Sequence, residues 1–374
     1  MKILVKIGWV ALALVALVSV AAGFRNGLNF VDFQWVPAKI LALGQDPYAY
    51  SLHSLRFDGC QVDANQVPSC LLLLWPLTLL PRMTANAVWD VLNLVFVGVF
   101  LFFCWRIWFA ERFGVVLFSA FAMVLLAGTP CRVLVGNGQH LMFSLAFFLA
   151  AYYFAEKGRW CIAGALLAVS AFKYTTIAPM VFIFVARRLW RPLVLAAVLH
   201  LAATFFCGWW TGVSSVGLVL DSLKVGGMLT ANGDADVASL AGFFGCADAR
   251  ILALVGYALG TIVLVLVCLR KSKDSLLLIA VLSVLSNIMF YHRVYDFVTL
   301  AFPLVLVMRD WKSREKIDWS VRVLTIVNVG YTFYFDRALS AVGVTGIRVP
   351  MTFALEHLLF VALLAKQIRA KQLK

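Results

Sequence analysis

Residues 139–191 read QHLMFSLAFFLAAYYFAEKGRWCIAGALLAVSAFKYTTIAPMVFIFVARRLWR. Three apolar runs, 139–156, 160–173 and 176–187, are separated by short connections, and their charges collect at Lys157 and Arg159 and again at Arg187, Arg188 and Arg191. Apolar runs whose alternate connections carry the Lys and Arg are the pattern of membrane-spanning helices with their basic loops held in the cytoplasm. The whole chain agrees: of 374 residues 63% are hydrophobic and 13% charged, and the mean hydropathy is +0.94. A soluble domain has about 45–50% apolar and about 25% charged residues, so a soluble catalytic domain is excluded.

Outward from this stretch, further runs lie at 84–105, 113–129, 192–210, 250–269, 275–291, 295–308, 318–335 and 350–366. The first run, from Met1 to Phe24, follows Lys2 and Lys6 and continues without a polar cleavage region, and it reads as a retained signal anchor. The expected fold is all-α: one polytopic membrane domain over 1–374 with about 12 transmembrane helices and both termini cytoplasmic. Two segments are expected outside, a first outer loop at 25–67 and a second at 211–250. In the second, 213–229 has helical apolar spacing with Asp221 and Lys224 on the other face, as in a helix lying on the outer leaflet. Pro68 to Pro81, PSCLLLLWPLTLLP, is too short for an ordinary span and is interrupted by Pro76, so it is expected to be re-entrant or broken.

The 32 Lys and Arg against 18 Asp and Glu make a net charge of +14. Placing the basic residues in the inner loops accounts for that excess, and no nucleic-acid partner is implied. The eight Cys form no CxxC pair. Cys60 and Cys70 both fall in the outer region, where an oxidising compartment would let them bond. No internal repeat is evident.

On this topology the unusual polar residues gather at the outer surface. Asp32 lies in an aromatic setting, Asn29-Phe30-Val31-Asp32-Phe33, where partial burial would suit a carboxylate to general-base work; an ordinary loop carboxylate is the alternative. Lys173, between Phe172 and Tyr174, can meet a lipid phosphate or simply snorkel. His292, Arg293 and Asp296 fall within one helical turn, two candidate phosphate-binding cations with a carboxylate to orient one of them. Gln139, in Asn137-Gly138-Gln139-His140, joins them as a polar candidate. Asp46-Pro47-Tyr48 is a turn signature in its own right. Asp234-Ala235-Asp236 matches a DxD metal-binding pattern, but the motif is too short to carry weight.

Taken in order, Asp32-Phe33 with Ala38 and Leu41, Gly44-Gln45-Asp46-Pro47-Tyr48, Pro68 with Pro76-Leu77 and Leu80-Pro81, Trp89 with Leu92-Asn93, Gly138-Gln139, Ala163-Gly164 with Lys173 and Pro179, and Tyr295-Asp296 before Pro303 resemble the integral-membrane glycosyltransferases of family 87. The chain departs from the family pattern at Trp35, at Val67-Pro68 and at Thr175-Thr176. The resemblance implies a polyprenyl-phosphate sugar as donor, a hexose such as mannose, and a glycan or glycolipid acceptor on the outer face of the cell membrane. It implies an inverting transfer with Asp32 as general base. Lys173, His292 and Arg293 are then the candidates for binding the donor phosphate, and Gln139, Asp46, Tyr48 and Asp296 for recognising sugar or acceptor. Neither metal nor cofactor is expected, since these cations can serve the phosphate of a donor that is already activated. The competing reading is a secondary transporter or lipid-linked-sugar flippase, which would place ionisable residues near the midplane and show two related halves. A surface-polysaccharide polymerase or ligase would rely on a large outer loop rich in Arg and His, whereas 211–250 contains Arg250 and no His.

Overall fold

The computed structural model describes residues 2–28, 33–110, 114–229, 256, 259–263, 274–290, 292–310, 319–335 and 348–369. These are overwhelmingly helical. The long elements are α1 (Lys2–Gly27), α5 (Arg82–Cys104, extended by a π turn to Phe109), α12 (Trp190–Thr211) and α17 (Arg348–Arg369). Between α1 and α5 lie the short helices α2 (Trp35–Ala42), α3 (Pro47–Leu52) and α4 (Pro68–Leu73), with a two-stranded hairpin, β1 (Arg56–Phe57) and β2 (Cys60–Gln61). The middle of the chain supplies α6 (Gly114–Ala127), α7 (Thr129–Gly136), α8 (Leu141–Glu156), α9 (Trp160–Ser170), α10 (Tyr174–Met180), α11 (Phe182–Ala186) and, after α12, α13 (Ser215–Leu229). The described C-terminal helices are α14 (Ser275–Met289), α15 (Ala301–Asp310), α16 (Trp319–Gly330) and α17.

Five helical segments among the described residues are long and apolar enough to cross a membrane, six if α6 and α7 count as one bent span, and α8 and α14 are shorter apolar helices. Their outward faces carry Val10, Leu14, Leu17 and Val18 on α1 and Val198, Leu201, Phe205 and Trp209 on α12, all exposed. Such uncharged apolar faces fit hydrocarbon as the surrounding solvent. The count of about 12 exceeds these five or six because several of the expected runs are short or broken helices here and the run at 250–269 lies largely outside the described residues.

The breaks have local causes. The run expected to end at 129 bends by 57° there and continues as α7, with Gly128 as its N-cap and Pro130 at the first turn. A Cβ on Gly128 would sit 2.6 Å from the Phe333 ring, so this close approach requires glycine. Trp160 to Met180 passes as one span by length and composition, yet the chain reverses within it. The 11 residues of α9 rise about 16 Å to a 3-10 turn at Ala171–Lys173. There the Lys173 N–H donates to Ser144 Oγ on the first turn of α8, at 2.9 Å. At the other end Arg187 comes back to Glu156, the last residue of α8, at 3.0 Å. Pairing at both ends of α8 requires α10 and α11 to run back from the 3-10 turn toward the end of α8 at which α9 begins.

Pro68 to Pro81 is broken, as expected: α4 gives way to a 3-10 turn at Trp75–Leu79. The carbonyls released by the break are taken by α2, Trp35 Nε1 donating to Leu77 O at 3.2 Å and Lys39 Nζ to Thr78 O at 3.1 Å. In the segment after α12, α13 forms where helical spacing indicates. Asp221 and Lys224 pair on its exposed side at 2.6 Å, while Leu218 and Val225 are buried in a cluster with Tyr48, Cys207 and Phe172. Cys60 and Cys70 are free thiols: Cys60 accepts from Arg82, and Cys70 is buried with its thiol 3.5 Å from Ala171 O.

Candidate active site

Polar residues collect at the two ends of the helix bundle. At one end Asp274 caps α14, accepting from the N–H groups of Leu276 and Leu277 at 3.1 and 3.2 Å. The Arg309 guanidinium grips the same carboxylate through two nitrogens at 2.8 and 2.5 Å. Burial alone would raise the pKa of Asp274, but the Arg309 charge and the two N–H donors outweigh it and hold it below the ordinary carboxylate value. Lys366 reaches Asp310 at 3.4 Å. Asp274, Arg309, Asp310 and Lys366 thus meet at one end.

The other end is built where α8 begins, α9 turns into α10, and α14 runs into the 3-10 turn Val294–Leu300. Lys173 Nζ lies 3.5 Å from Asp296 Oδ1, and the two side chains are 12% and 0% exposed. The same ammonium stands 5.2 Å from the centre of the Tyr295 ring, within cation–π range. Asp296 Oδ2 accepts from the Arg293 N–H at 2.9 Å, closing the start of the turn. Arg293 itself is exposed. One residue away His292 is buried, its Nδ1 3.2 Å from Phe290 O and its Nε2 4.0 Å from Glu356 Oε2 on α17. Glu356 Oε1 accepts from Asn287 Nδ2 at 2.9 Å, and that amide also donates to Thr299 Oγ1 at 3.0 Å. The buried polar chain Glu356–Asn287–Thr299 fastens the last helix to the turn that carries Asp296.

A second group adjoins the first through Phe172. His140 stacks on Phe172 at 4.3 Å and lies against Trp89 at 4.9 Å, while its Nε2 is 2.8 Å from Phe33 O. Trp89 stacks on Phe33 at 5.2 Å and donates to Gly138 O at 2.8 Å. Gly138 has φ +58°, and a Cβ there would lie 3.3 Å from Phe33 Cβ, so both backbone conformation and space select glycine. On the preceding side Asn86 donates to Gly27 O at 2.8 Å. The chain is therefore held to α5 immediately before and after 29–32, the stretch that contains Asp32. Asp32 itself lies outside the described residues, as do Asp234, Asp236 and Arg250.

Of the residues singled out in the sequence, Lys173, His292, Arg293 and Asp296 share this end of the bundle. Gln139 sits half-buried in the Gly138 turn, its side chain 3.4 Å from Asn137 O. Asp46 and Tyr48 find their partners within the first loop: Asp46 caps α3 by accepting from the Tyr48 N–H at 2.9 Å, and the Tyr48 hydroxyl donates to Gln66 O at 2.6 Å. Burial pushes the Tyr48 phenol well above its ordinary pKa and keeps it a donor. Among the described residues no group of three or more His, Cys, Asp or Glu converges to hold a metal ion.

Two carboxylates were given no role by sequence reasoning. Glu356 is 0% exposed within the last apolar run, and Asp90 is 0% exposed on α5 with neither oxygen hydrogen-bonded among the described residues. Asp90 packs on the backbone of Gly27, where a Cβ would come within 2.7 Å of its oxygens. The signal was an acidic residue inside an apolar run, which is expensive and marks a functional interior.

The sequence profile of glycosyltransferase family 87 matches residues 67–292. The chain belongs to this family. In this family 87 member the matched region contains Gln139, Lys173 and His292, whereas Asp32, Asp46, Tyr48, Arg293, Asp296 and Glu356 lie outside it. No curated protein and no solved structure gives a match. As a member of the family the protein is a glycosyltransferase, and its apolar helices fit a membrane protein.

Proposed function

We propose that the protein transfers a hexose such as mannose from a polyprenyl-phosphate donor to a glycan or glycolipid at the outer face of the cell membrane, with inversion at the anomeric carbon. The observation that carries this reading is Lys173 set against Asp296 and Tyr295, on a turn whose start is closed by the Arg293 N–H and directly follows His292, at the end of the bundle away from Arg309 and Lys366. A donor activated by a phosphate leaving group needs a base for the acceptor hydroxyl, positive charge for the departing phosphate, and exclusion of water. Lys173, Arg293 and His292 supply the charge. Asp32 is the proposed base: it takes the proton as the acceptor oxygen bonds to the anomeric carbon, and the bond from that carbon to the phosphate oxygen breaks with its electrons passing to the lipid phosphate. Gln139, Asp46, Tyr48 and Asp296 are proposed for recognition or orientation, Asp296 acting through Lys173 and Asp46 and Tyr48 through the shape of the first loop. The reaction is proposed to need no metal, so a chelator should leave the rate unchanged.

The test is transfer of radiolabelled mannose from polyprenyl-phosphate mannose to membrane acceptors by wild type and an equally expressed Asp32→Asn variant. Label moving in the wild type and stopping in the variant supports donor and base together. Transfer by both removes Asp32 as the base. Transfer by neither removes the donor and favours a transporter or flippase of lipid-linked sugars.

A further inference from the structure

His292 and Glu356 each have one polar atom satisfied and one not. On His292 the satisfied atom is Nδ1, 3.2 Å from Phe290 O; on Glu356 it is Oε1, which accepts from Asn287 at 2.9 Å. The remaining atoms, His292 Nε2 and Glu356 Oε2, are both buried with no hydrogen-bond partner among the described residues. They face one another across 4.0 Å, with side chains 3% and 0% exposed. That distance exceeds hydrogen-bond reach, so neither atom satisfies the other. In an interior of this polarity, each such atom costs free energy unless a partner arrives.

The geometry specifies the partner. With Nδ1–H directed at the Phe290 carbonyl, a ring that carries a second hydrogen donates from Nε2 toward Oε2. The complementary group must then accept from Nε2–H and donate to Oε2 at once. An atom about 2.8 Å from each closes a triangle on the 4.0 Å base. A phosphate oxygen offers no hydrogen to Glu356, and an ammonium offers no lone pair to His292; a hydroxyl offers both. On α16, which packs on α17, Thr325 and Asn328 lie one turn apart and are 0% exposed, also with polar side-chain atoms lacking partners.

We infer that His292 and Glu356 form a hydroxyl-binding subsite for the donor sugar, Glu356 Oε2 accepting the hydrogen of one ring hydroxyl and His292 Nε2–H donating to its oxygen. The inference rests on the proposed glycosyl-phosphate donor and moves His292 from the phosphate, which it leaves to Lys173 and Arg293, to the sugar ring. It assigns the hydroxyl to the donor rather than the acceptor because His292 is adjacent to exposed Arg293 and to the turn holding Asp296 against Lys173, where the donor phosphate is proposed to sit. That phosphate is bonded directly to the sugar ring.

The experiment compares full-length wild type and Glu356→Gln, in lipid nanodiscs, with polyprenyl-phosphate mannose and its monodeoxy analogues. Gln keeps the carbonyl oxygen that Asn287 binds but replaces the free acceptor by a donor, and matched melting temperatures establish that the fold is kept. One deoxy analogue should lose at least about 100-fold in kcat/KM with wild type, since a site built to bond a hydroxyl rejects the analogue lacking it. Glu356→Gln should lose a similar factor with the intact donor, and removing that hydroxyl should then cost it less than about 10-fold further. If the variant does not fold, His292→Gln should show the same loss of discrimination. Equal penalties for every analogue in wild type and variant overturn the subsite and leave a bound water as the occupant, with the donor reading intact. Monodeoxy acceptors are compared in the same way, and a penalty that tracks them instead moves the hydroxyl to the acceptor and overturns the assignment. No transfer by wild type from any glycosyl phosphate overturns the donor reading and the subsite with it.

Discussion

Lys173 reaches Asp296 at 3.5 Å from a turn between α9 and α10, across more than a hundred residues of sequence. Asp296 is fully buried and Lys173 nearly so, which makes the two changes unequal. Lys173→Met strands a buried carboxylate whose remaining hydrogen bond comes from the Arg293 N–H, and breaking a buried pair this way costs about 3 kcal/mol. Asp296→Asn costs less, because the long lysine stem can carry its ammonium toward water. Thermal unfolding in one detergent should rank wild type above Asp296→Asn and Asp296→Asn above Lys173→Met; the reverse order would show that the pair is not what holds the turn.

Gly138 combines a left-handed φ of +58° with a Cβ position 3.3 Å from Phe33 Cβ. Gly138→Ala should therefore cost about 1–2 kcal/mol from the backbone alone and push Phe33 off Trp89. Intrinsic tryptophan fluorescence and the transfer rate should change together, and an unaltered melting temperature would contradict the argument.

Gly27→Ala places a methyl group 2.7 Å from both oxygens of Asp90. Overpacking of this kind costs about 1–3 kcal/mol. Shortening the obstacle in Gly27→Ala/Asp90→Ala should recover most of the loss, so the two changes should be strongly non-additive. Additive losses would mean that α1 and α5 do not meet there.

The Asp274 carboxylate is held below its ordinary pKa, near 4 in an unfolded chain, by Arg309 and two backbone N–H groups. A depressed folded-state value stabilises the fold above the unfolded pKa, and that contribution is lost as pH falls through the lowered folded value. Melting temperature should therefore drop on acidification below about pH 4, and Asp274→Asn should flatten that acid limb while lowering stability at neutral pH. A variant with the same acid limb as wild type would place the sensitivity elsewhere.

The apolar runs, the basic connections and the broken Pro68–Pro81 element follow from local composition, because hydrocarbon solvent demands continuous apolar helix and a proline interrupts it wherever the run folds. The α13 helix and the Asp46 cap were legible for the same reason: helical spacing and an Asp-Pro turn act over a few residues. Lys173, His292, Arg293 and Asp296 could be nominated because charge next to apolar sequence is costly.

What the sequence determined by itself was thus the class of protein, the approximate elements and a pool of candidate polar residues. Tertiary structure decided which of them meet. The bend at Gly128 depends on Phe333, a residue far along the chain, and the reversal at 171–173 is recognised by Ser144 and by the return of Arg187 to Glu156. Glu356 lies in the last helix, yet its partners Asn287 and His292 come from the end of α14 and the residues that follow it. Whether a buried carboxylate is a liability or part of a site depends on the atom facing it, and in a helix bundle that atom comes from another helix.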